Sequence, residues 1–104
     1  MAAITIPERE PWVVARWAFV QLLDRAALEL VDAPASRQRL EAAKALDGIN
    51  LGRVPVEERG RLVSALVSAA GTLAHEFEAR AQDDLDKSFI DALRHLECEL
   101  RPTP

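Results

Sequence analysis

Apolar residues recur at intervals of three and four along most of the 104-residue chain, the spacing that places side chains on one face of an α-helix. The chain has four glycines, and four of its six prolines stand where helices could begin, at Pro7, Pro11, Pro34 and Pro55. Alternating polarity is confined to residues 4–6, and no hairpin turn separates two apolar runs. The sequence therefore predicts an all-α fold, a small bundle of about four helices.

The apolar pattern divides the chain into four predicted helices. Their approximate ranges are 8–31, 34–47, 55–81 and 84–100. We expect the second helix to end at Asp47, with Gly48 in the left-handed conformation that glycine adopts without steric cost. Ile49 and Leu51, in the connection that follows, are expected to close one end of the core.

The join between the third and fourth predicted helices has two interpretations. No glycine or proline interrupts residues 73–100, so one rod over residues 55–100 is an alternative to two helices. In a single helical frame, however, the apolar stripe turns by roughly 110° between the two segments. Asp83 is also a typical helix-capping residue. We therefore favour a break near residues 82–84.

The length of the chain is that of one domain, and we predict a single helical domain over residues 1–104. Residues 1–6 and 101–104 are expected to be loosely ordered, as chain termini often are. A domain of this size has a thin stability margin, which self-association often widens. A homodimer is therefore a plausible state of the protein.

The charge balance limits the classes of partner. Thirteen basic and 17 acidic residues give a net charge of −4, which disfavours nucleic acid and anionic membranes. Acid is concentrated late in the chain, in Glu76, Glu78, Asp83, Asp84, Asp86, Asp91, Glu97 and Glu99. Such runs are usually solvated helix faces, and the functional alternative is a negative surface that attracts a basic protein.

The cysteine content and the apolar runs bear on location. Cys98 is the single cysteine, so no intrachain disulfide forms, which fits a reducing compartment. The most apolar stretch, residues 12–31, contains four charged residues and does not resemble a transmembrane helix. We expect a cytoplasmic protein.

The sequence contains none of the catalytic motifs that short patterns can reveal. It has no phosphate-binding glycine loop, no Gly-x-Ser-x-Gly elbow and no His-Glu-x-x-His pair. His95, Cys98 and Glu99 are neighbours on a helix and are zinc-ligand types, but one helical turn rarely supplies three ligands. We predict no enzyme, no catalytic residue, no cofactor and no metal site, and we expect Cys98 to be exposed.

One end of the first predicted helix departs from a simple core stripe. Arg16 lies in the apolar sector, where it must reach the rim or pair with a carboxylate such as Glu8 or one on the fourth helix. Trp17 and Leu28 lie together toward the polar side. Tryptophan and arginine often dominate protein interfaces. The predicted interaction residues are Trp12, Arg16, Trp17 and Leu28.

Two classes of function remain open from the sequence. The first is a small acidic protein–protein interaction module that also self-associates, in the manner of an inhibitor, an immunity protein, an adaptor or a regulatory subunit. The second is a helical bundle that holds an apolar small ligand between its helices. Phe19, Phe77, Phe89 and the two tryptophans would line such a cavity.

Overall fold

The computed structural model describes residues 1–80 and 83–100, and within them the chain is mostly helical with a small sheet. The strands are β1 (Ala2–Thr5), β2 (Trp12–Val14) and β3 (Gly48–Asn50). The helices are α1 (Arg16–Leu28), α2 (Pro34–Leu46), α3 (Val56–Arg80) and α4 (Asp84–Leu100), and a 3-10 turn covers Leu51–Arg53. The prediction of a small helical bundle is confirmed, and the sheet is an addition that the sequence analysis missed.

The third and fourth helices are separate and pack closely on each other, so the alternative of one continuous rod is wrong. Asp83 caps α4 as predicted, because its side-chain oxygen Oδ1 accepts a hydrogen bond of 2.9 Å from the amide of Asp86. The predicted end of the third helix at residue 81, and residue 82 of the expected break, lie outside the described residues.

The N-terminal segment is a strand pair, which corrects two predictions. The first helix was expected from residue 8, but Glu8 has a φ of 64°, which is incompatible with a right-handed helix, and α1 begins at Arg16. Residues 1–6 were expected to be loose, but Ala2 and Ile4 are buried in β1. The same expectation for residues 101–104 falls outside the described residues.

The sheet has the order β2-β1-β3. Strand β2 runs antiparallel to β1, with Ile4 opposite Trp12, and β3 runs parallel to β1, with Ile4 opposite Ile49. These three side chains share the inner face of the sheet and are buried against the helices. The outer face carries Val13 and Thr5, which are exposed.

The helix ends are set by local chemistry that differs in part from the prediction. Helix α1 ends at Leu28 rather than at residue 31. Helix α2 ends at Leu46, and Asp47, not Gly48, takes the left-handed conformation with a φ of 56°. Gly48 is instead the first residue of β3. A Cβ at this position would lie 3.2 Å from the carbonyl oxygen of Ala3, so glycine allows the backbones of β3 and β1 to approach closely.

One hydrophobic core collects buried side chains from every helix and strand. Its most deeply buried large members are Phe19, Ile4, Leu22, Leu23, Leu30, Leu40, Leu51, Leu62, Leu66, Leu93 and Leu96. Ile49 and Leu51 are both buried, so the connection after α2 contributes side chains to the core.

Candidate docking surface

Trp12 belongs to the core, although the sequence also suggested it as an interaction residue. Its side chain is 4% exposed. Its indole Nε1 donates a hydrogen bond of 2.8 Å to the carbonyl oxygen of Ala92, which ties β2 to α4. A buried indole needs such a partner for its N–H. Trp12 therefore anchors the fold and offers little surface to another protein.

Arg16 is the first residue of α1 and reaches the end of α2. Its guanidinium pairs with the carboxylate of Asp47 and donates a hydrogen bond of 3.1 Å to the carbonyl oxygen of Lys44. A cation is stabilised there because the last carbonyl groups of a helix lack internal partners. Pairing with a carboxylate was predicted correctly, but the proposed partners, Glu8 or a residue of the fourth helix, were wrong.

Lys44, whose carbonyl oxygen accepts the hydrogen bond from Arg16, is also the centre of a small ion-pair cluster. The amine of Lys44 lies 2.6 Å from Asp24 on α1 and 3.0 Å from Glu41. The hydrogen bond to Asp24, followed by that to Glu41, raises the pKa of Lys44 above its ordinary value. This side of the N-terminal segment is therefore occupied by contacts within the chain.

Trp17 lies on the other side of α1, at the end of a row of aromatic rings. Its ring meets Phe89 of α4 edge-on, with the centroids 5.0 Å apart, and it is 39% exposed. Phe89 meets Phe77 at 4.9 Å, and the guanidinium carbon of Arg80 lies 4.5 Å from the Phe77 ring centroid. The row holds Trp17 in place while leaving much of its ring uncovered.

Leu28 is 68% exposed but does not form a patch with Trp17. The two residues lie about 16 Å apart along α1 at the usual rise of a helix. Gln21 and Asp24, both exposed, stand on the same helix face between them. The four residues predicted from the sequence are thus dispersed over the core, two sides of α1 and its far end.

Trp17 instead borders a cleft that we call the β2–α4 groove, with a volume of about 180 Å³. Its lining residues are Val13, Val14, Ala15, Trp17, Ala18, Leu85, Ser88, Phe89 and Ala92. Val13 is 49% exposed and Leu85 is 61% exposed, so three large apolar side chains from different elements surround one opening. Neither Val13 nor Leu85 was predicted as an interaction residue.

The backbone of β2 is open on the side away from β1. The amide of Ala3 donates a hydrogen bond of 3.1 Å to the carbonyl oxygen of Asp47, so the Ala3 backbone points toward β3. Because hydrogen bonds alternate along a strand, the N–H and C=O groups of Val13, opposite Ala3, point away from β1. Outside the sheet, Val13 makes no backbone hydrogen bond with the residues described.

The rim of the groove is acidic. Asp84, Ser88 and Asp91 are spaced by four and three residues and so share one side of α4, where Ser88 lines the groove. In residues 1–80 and 83–100, neither of these aspartates takes part in an ion pair. Glu10, just before β2, lines a separate cleft with Arg9 and Glu99, and there Arg9 pairs with Glu99 at 2.9 Å.

Other members of the C-terminal acidic run are neutralised within the chain. Glu76 pairs with Arg25 at 2.9 Å, and Glu78 pairs with Arg94 at 2.6 Å. Hydrogen bonds from Arg94 to Glu78 and then to Glu97 raise the pKa of the arginine. In the acidic run, Glu76, Glu78, Glu97 and Glu99 therefore form ion pairs and Asp83 caps α4, whereas Asp84, Asp86 and Asp91 form no ion pair with the residues that the structure describes.

The possible zinc ligands on α4 do not come together as a site. His95 Nε2 lies 3.7 Å from Glu99 Oε1, and Glu99 also pairs with Arg9. Cys98 is exposed, as expected. Among the described residues, no group of three or more histidine, cysteine, aspartate or glutamate side chains is placed to hold a metal ion.

Comparison of the chain with models of protein families, with curated proteins and with solved structures gives no significant match. In the described part of the chain, no helix combines the length and the apolar character needed to cross a bilayer.

Proposed function

We propose that the protein is a protein–protein interaction module that docks a partner in the β2–α4 groove. The observation that carries this proposal is the exposure of Val13, Trp17 and Leu85 around one cleft, although they come from a strand and two helices. A cluster of large apolar side chains around a concave opening is typical of the centre of a protein interface.

The groove has the features that make an interface centre effective. Trp17 is held by Phe89, so little side-chain freedom is lost when a partner covers it. Tryptophan is among the residues that most often dominate binding energy. Removing apolar surface from water is favourable by roughly 25 cal/mol for each Å², and it must exceed the entropic and desolvation costs of association. A small rigid groove of this kind can therefore anchor a partner.

The proposal covers several biological roles. An inhibitor, an immunity protein, an adaptor or a regulatory subunit would each act by such docking, and a homodimer formed through the groove is a self-associating form of it. We propose the cytoplasm as the compartment, since Cys98 is the single cysteine. We assign no catalytic activity to the protein and propose neither nucleic acid nor membrane as its partner.

A capture experiment with matched variants tests the proposal. The full chain, its Leu85→Asp variant and its Leu28→Asp variant are immobilised and exposed to native lysate, and light scattering gives the mass of each. Leu28 is a suitable control because it is exposed on α1 away from the groove. We expect proteins, or a second copy, to associate with the wild type and the control but not with Leu85→Asp. Equal capture by all three chains would contradict the proposal.

A second candidate function is the binding of an apolar small molecule at a cleft on α3. This cleft, of about 580 Å³, is lined by Val56, Arg59, Gly60, Val63, Ser64, Val67 and Leu100. Its volume is within the range of roughly 300–1,000 Å³ that is usual for ligand sites. The lining predicted from the sequence was different, since Phe19 and Phe77 pack in the core.

The dye 1-anilinonaphthalene-8-sulfonate tests this second candidate. If the α3 cleft binds apolar molecules, the dye fluoresces with the wild type, and a Val63→Phe substitution that fills the cleft lowers the signal. Leu85→Asp, which alters the other groove, should leave the signal unchanged. Dye binding that is insensitive to Val63→Phe would count against the α3 cleft.

A further inference from the structure

We infer that the occupant of the β2–α4 groove is an extended, cationic segment of a partner protein, which pairs with β2 as an added strand. This inference rests on the function proposed above and specifies the chemistry of the partner. It combines three independent features of the groove: an open strand edge, an apolar cleft beside it and an unpaired acidic rim.

The open edge of β2 supplies the backbone contacts. An extended segment can add to a sheet edge by bonding the outward N–H and C=O groups of the edge strand. In β2 those groups belong to Val13, because the backbone of Trp12 and Val14 is turned toward β1. Since β2 has three residues, the backbone contribution is short and the side chains must supply much of the affinity.

The cleft accepts side chains from such a strand. Alternate residues of a strand point to the same side, so an added strand presents every second side chain to the groove. The volume of about 180 Å³ between Trp17 and Leu85 suits an aliphatic side chain. A helix, with a diameter of about 10–12 Å, does not enter a cleft of this size. The shape therefore favours an extended occupant.

The rim determines the charge of the occupant. Asp84 and Asp91 lack ion pairs within the described part of the chain, and Lys87, three residues from one and four from the other on α4, pairs with neither of them there. The rim therefore carries more acid than base. Lysine or arginine residues in the added segment would find partners at this rim. An acidic segment would be repelled there and by the net charge of −4.

The opposite edge of the sheet, at β3, differs from the β2 edge in the charge of the residues beside it. Strand β3 borders a cleft of about 220 Å³ that includes Arg39, Arg53 and the exposed Leu46. Arg39 pairs with Glu58 at 2.8 Å, but Arg53 forms no ion pair with the residues that the structure describes. A cationic segment is therefore directed to β2 rather than to β3.

Peptide probes test the inference on the full chain. The first probe is Lys-Val-Lys-Leu-Lys-Val-Lys, the second replaces every lysine with glutamate, and the third carries N-methyl groups on its two valine amides. Calorimetry gives the affinities, and amide chemical shifts locate the site. We expect the first probe to shift the Val13 amide and to bind at least about tenfold more tightly than either of the others.

Variants of the rim provide a second measurement that does not depend on the core. Asp84→Asn combined with Asp91→Asn should weaken binding of the lysine probe by at least about fivefold at low salt, and less at high salt because surface charges are screened. Glu29→Gln, at the far end of α1, is the control and should bind as the wild type does. Equal affinity of the rim variant and this control would overturn the cationic assignment.

Three other results would also overturn the inference. They are no binding of the lysine probe, equal binding of the N-methylated probe, and shifts centred on Asn50 rather than Val13.

Self-association would give a different outcome. If the protein forms a dimer that Leu85→Asp abolishes, and the lysine probe does not compete with that dimer, the groove binds a second copy of the chain instead. In that case, or if capture depends on the groove while the probe does not bind, the proposed function stands and only the partner chemistry is wrong. Capture that is independent of the groove would remove the proposed function itself.

Discussion

The two sides of the segment formed by residues 12–18 perform different tasks. On the inner side, Trp12, Val14 and Ala18 are buried, and Trp12 is bonded to α4. On the outer side, Val13 and Trp17 are exposed beside the β2–α4 groove. Because the strand alternates its side chains and the helix follows directly, neighbouring residues reach opposite environments. Seven residues thus contribute to the core on one side and to the proposed docking surface on the other.

The difference between the two sides should appear as a separation of stability from binding. Loss of an inner residue removes core contacts and leaves a cavity. Loss of an outer side chain removes fewer contacts within the protein, because Val13 and Trp17 are already exposed to solvent. For Trp17, the contact that is lost is the edge-on contact with the ring of Phe89. We therefore expect the free energy of unfolding to fall more for inner substitutions than for outer ones.

Trp12→Ala should give the largest loss of stability. We expect the free energy of unfolding to fall by about 3–5 kcal/mol, the usual range for truncation of a buried tryptophan. Urea denaturation followed by circular dichroism measures this change. Trp12→Phe, which keeps the ring but loses the hydrogen bond to Ala92, should cost less than Trp12→Ala. A loss below about 1 kcal/mol in Trp12→Ala would show that the inner side does not anchor the fold.

Trp17→Ala should be milder in stability and severe in binding. We expect a loss of about 1–2 kcal/mol, because the ring is partly exposed and its edge-on contact with Phe89 is one aromatic pair. Helicity should be retained, while binding of the lysine probe falls at least about tenfold. Urea denaturation and calorimetry on the same sample separate the two effects. Unfolding of the variant would place Trp17 in the core and remove the contrast between the two sides.

Asp83→Ala tests the cap of the first turn of α4, the turn that carries Leu85. Loss of the cap should cost about 1 kcal/mol, since the Asp86 amide loses its side-chain partner. Thermal melting measures the change. Asp83→Ser, which retains a capping oxygen, should keep most of the stability and serves as the control. Equal stability of Asp83→Ala and the wild type would show that this cap is unimportant.

The ion-pair cluster around Lys44 should give the smallest effect, and it should depend on pH. Because the pKa of Lys44 is raised in the folded state, its contribution is present below the ordinary lysine value of 10.5 and is lost as pH rises through the raised pKa. The pair with Asp24 lies at the surface, so we expect a difference from Lys44→Gln of about 0.2–1 kcal/mol at neutral pH. Urea denaturation of both chains from about pH 8 to pH 11 measures the loss. A difference that grows with pH would contradict the assignment.

The helical part of the fold was predictable, whereas the sheet was not. Long apolar stripes and the Asp83 cap identified α3 and α4, and α2 was identified by Pro34 at its start and by the Asp47–Gly48 stop signal at its end. The strands have three or four residues each, and the paired residues of β1 and β3 are more than 40 positions apart in the sequence. Local patterns therefore carry little information about these strands. Trp12 was misleading because it lies seven residues before Phe19. That spacing places both side chains inward in a helix, and strand alternation buries Trp12 equally well.

The candidate site was predictable only in part, for related reasons. Trp17 stood out because it lies off the apolar stripe of its helix. Leu85 belongs to the apolar stripe of α4, and nothing in its spacing indicates that its neighbours leave it exposed. The open edge at Val13 depends on the sheet, which the helical pattern concealed. A groove formed by distant elements thus follows from the tertiary arrangement rather than from any short motif.

Amide hydrogen exchange of the full chain in native buffer tests the contrast between the two sides most directly. The Trp12 and Val14 amides bond to β1 and should exchange slowly, whereas the Val13 amide faces the open edge and should exchange at least about 100-fold faster. Adding the lysine probe should slow exchange at Val13 and leave the inner pair unchanged. Protection of Val13 equal to that of Trp12 in the unbound chain would show that this edge is closed and would contradict the docking surface.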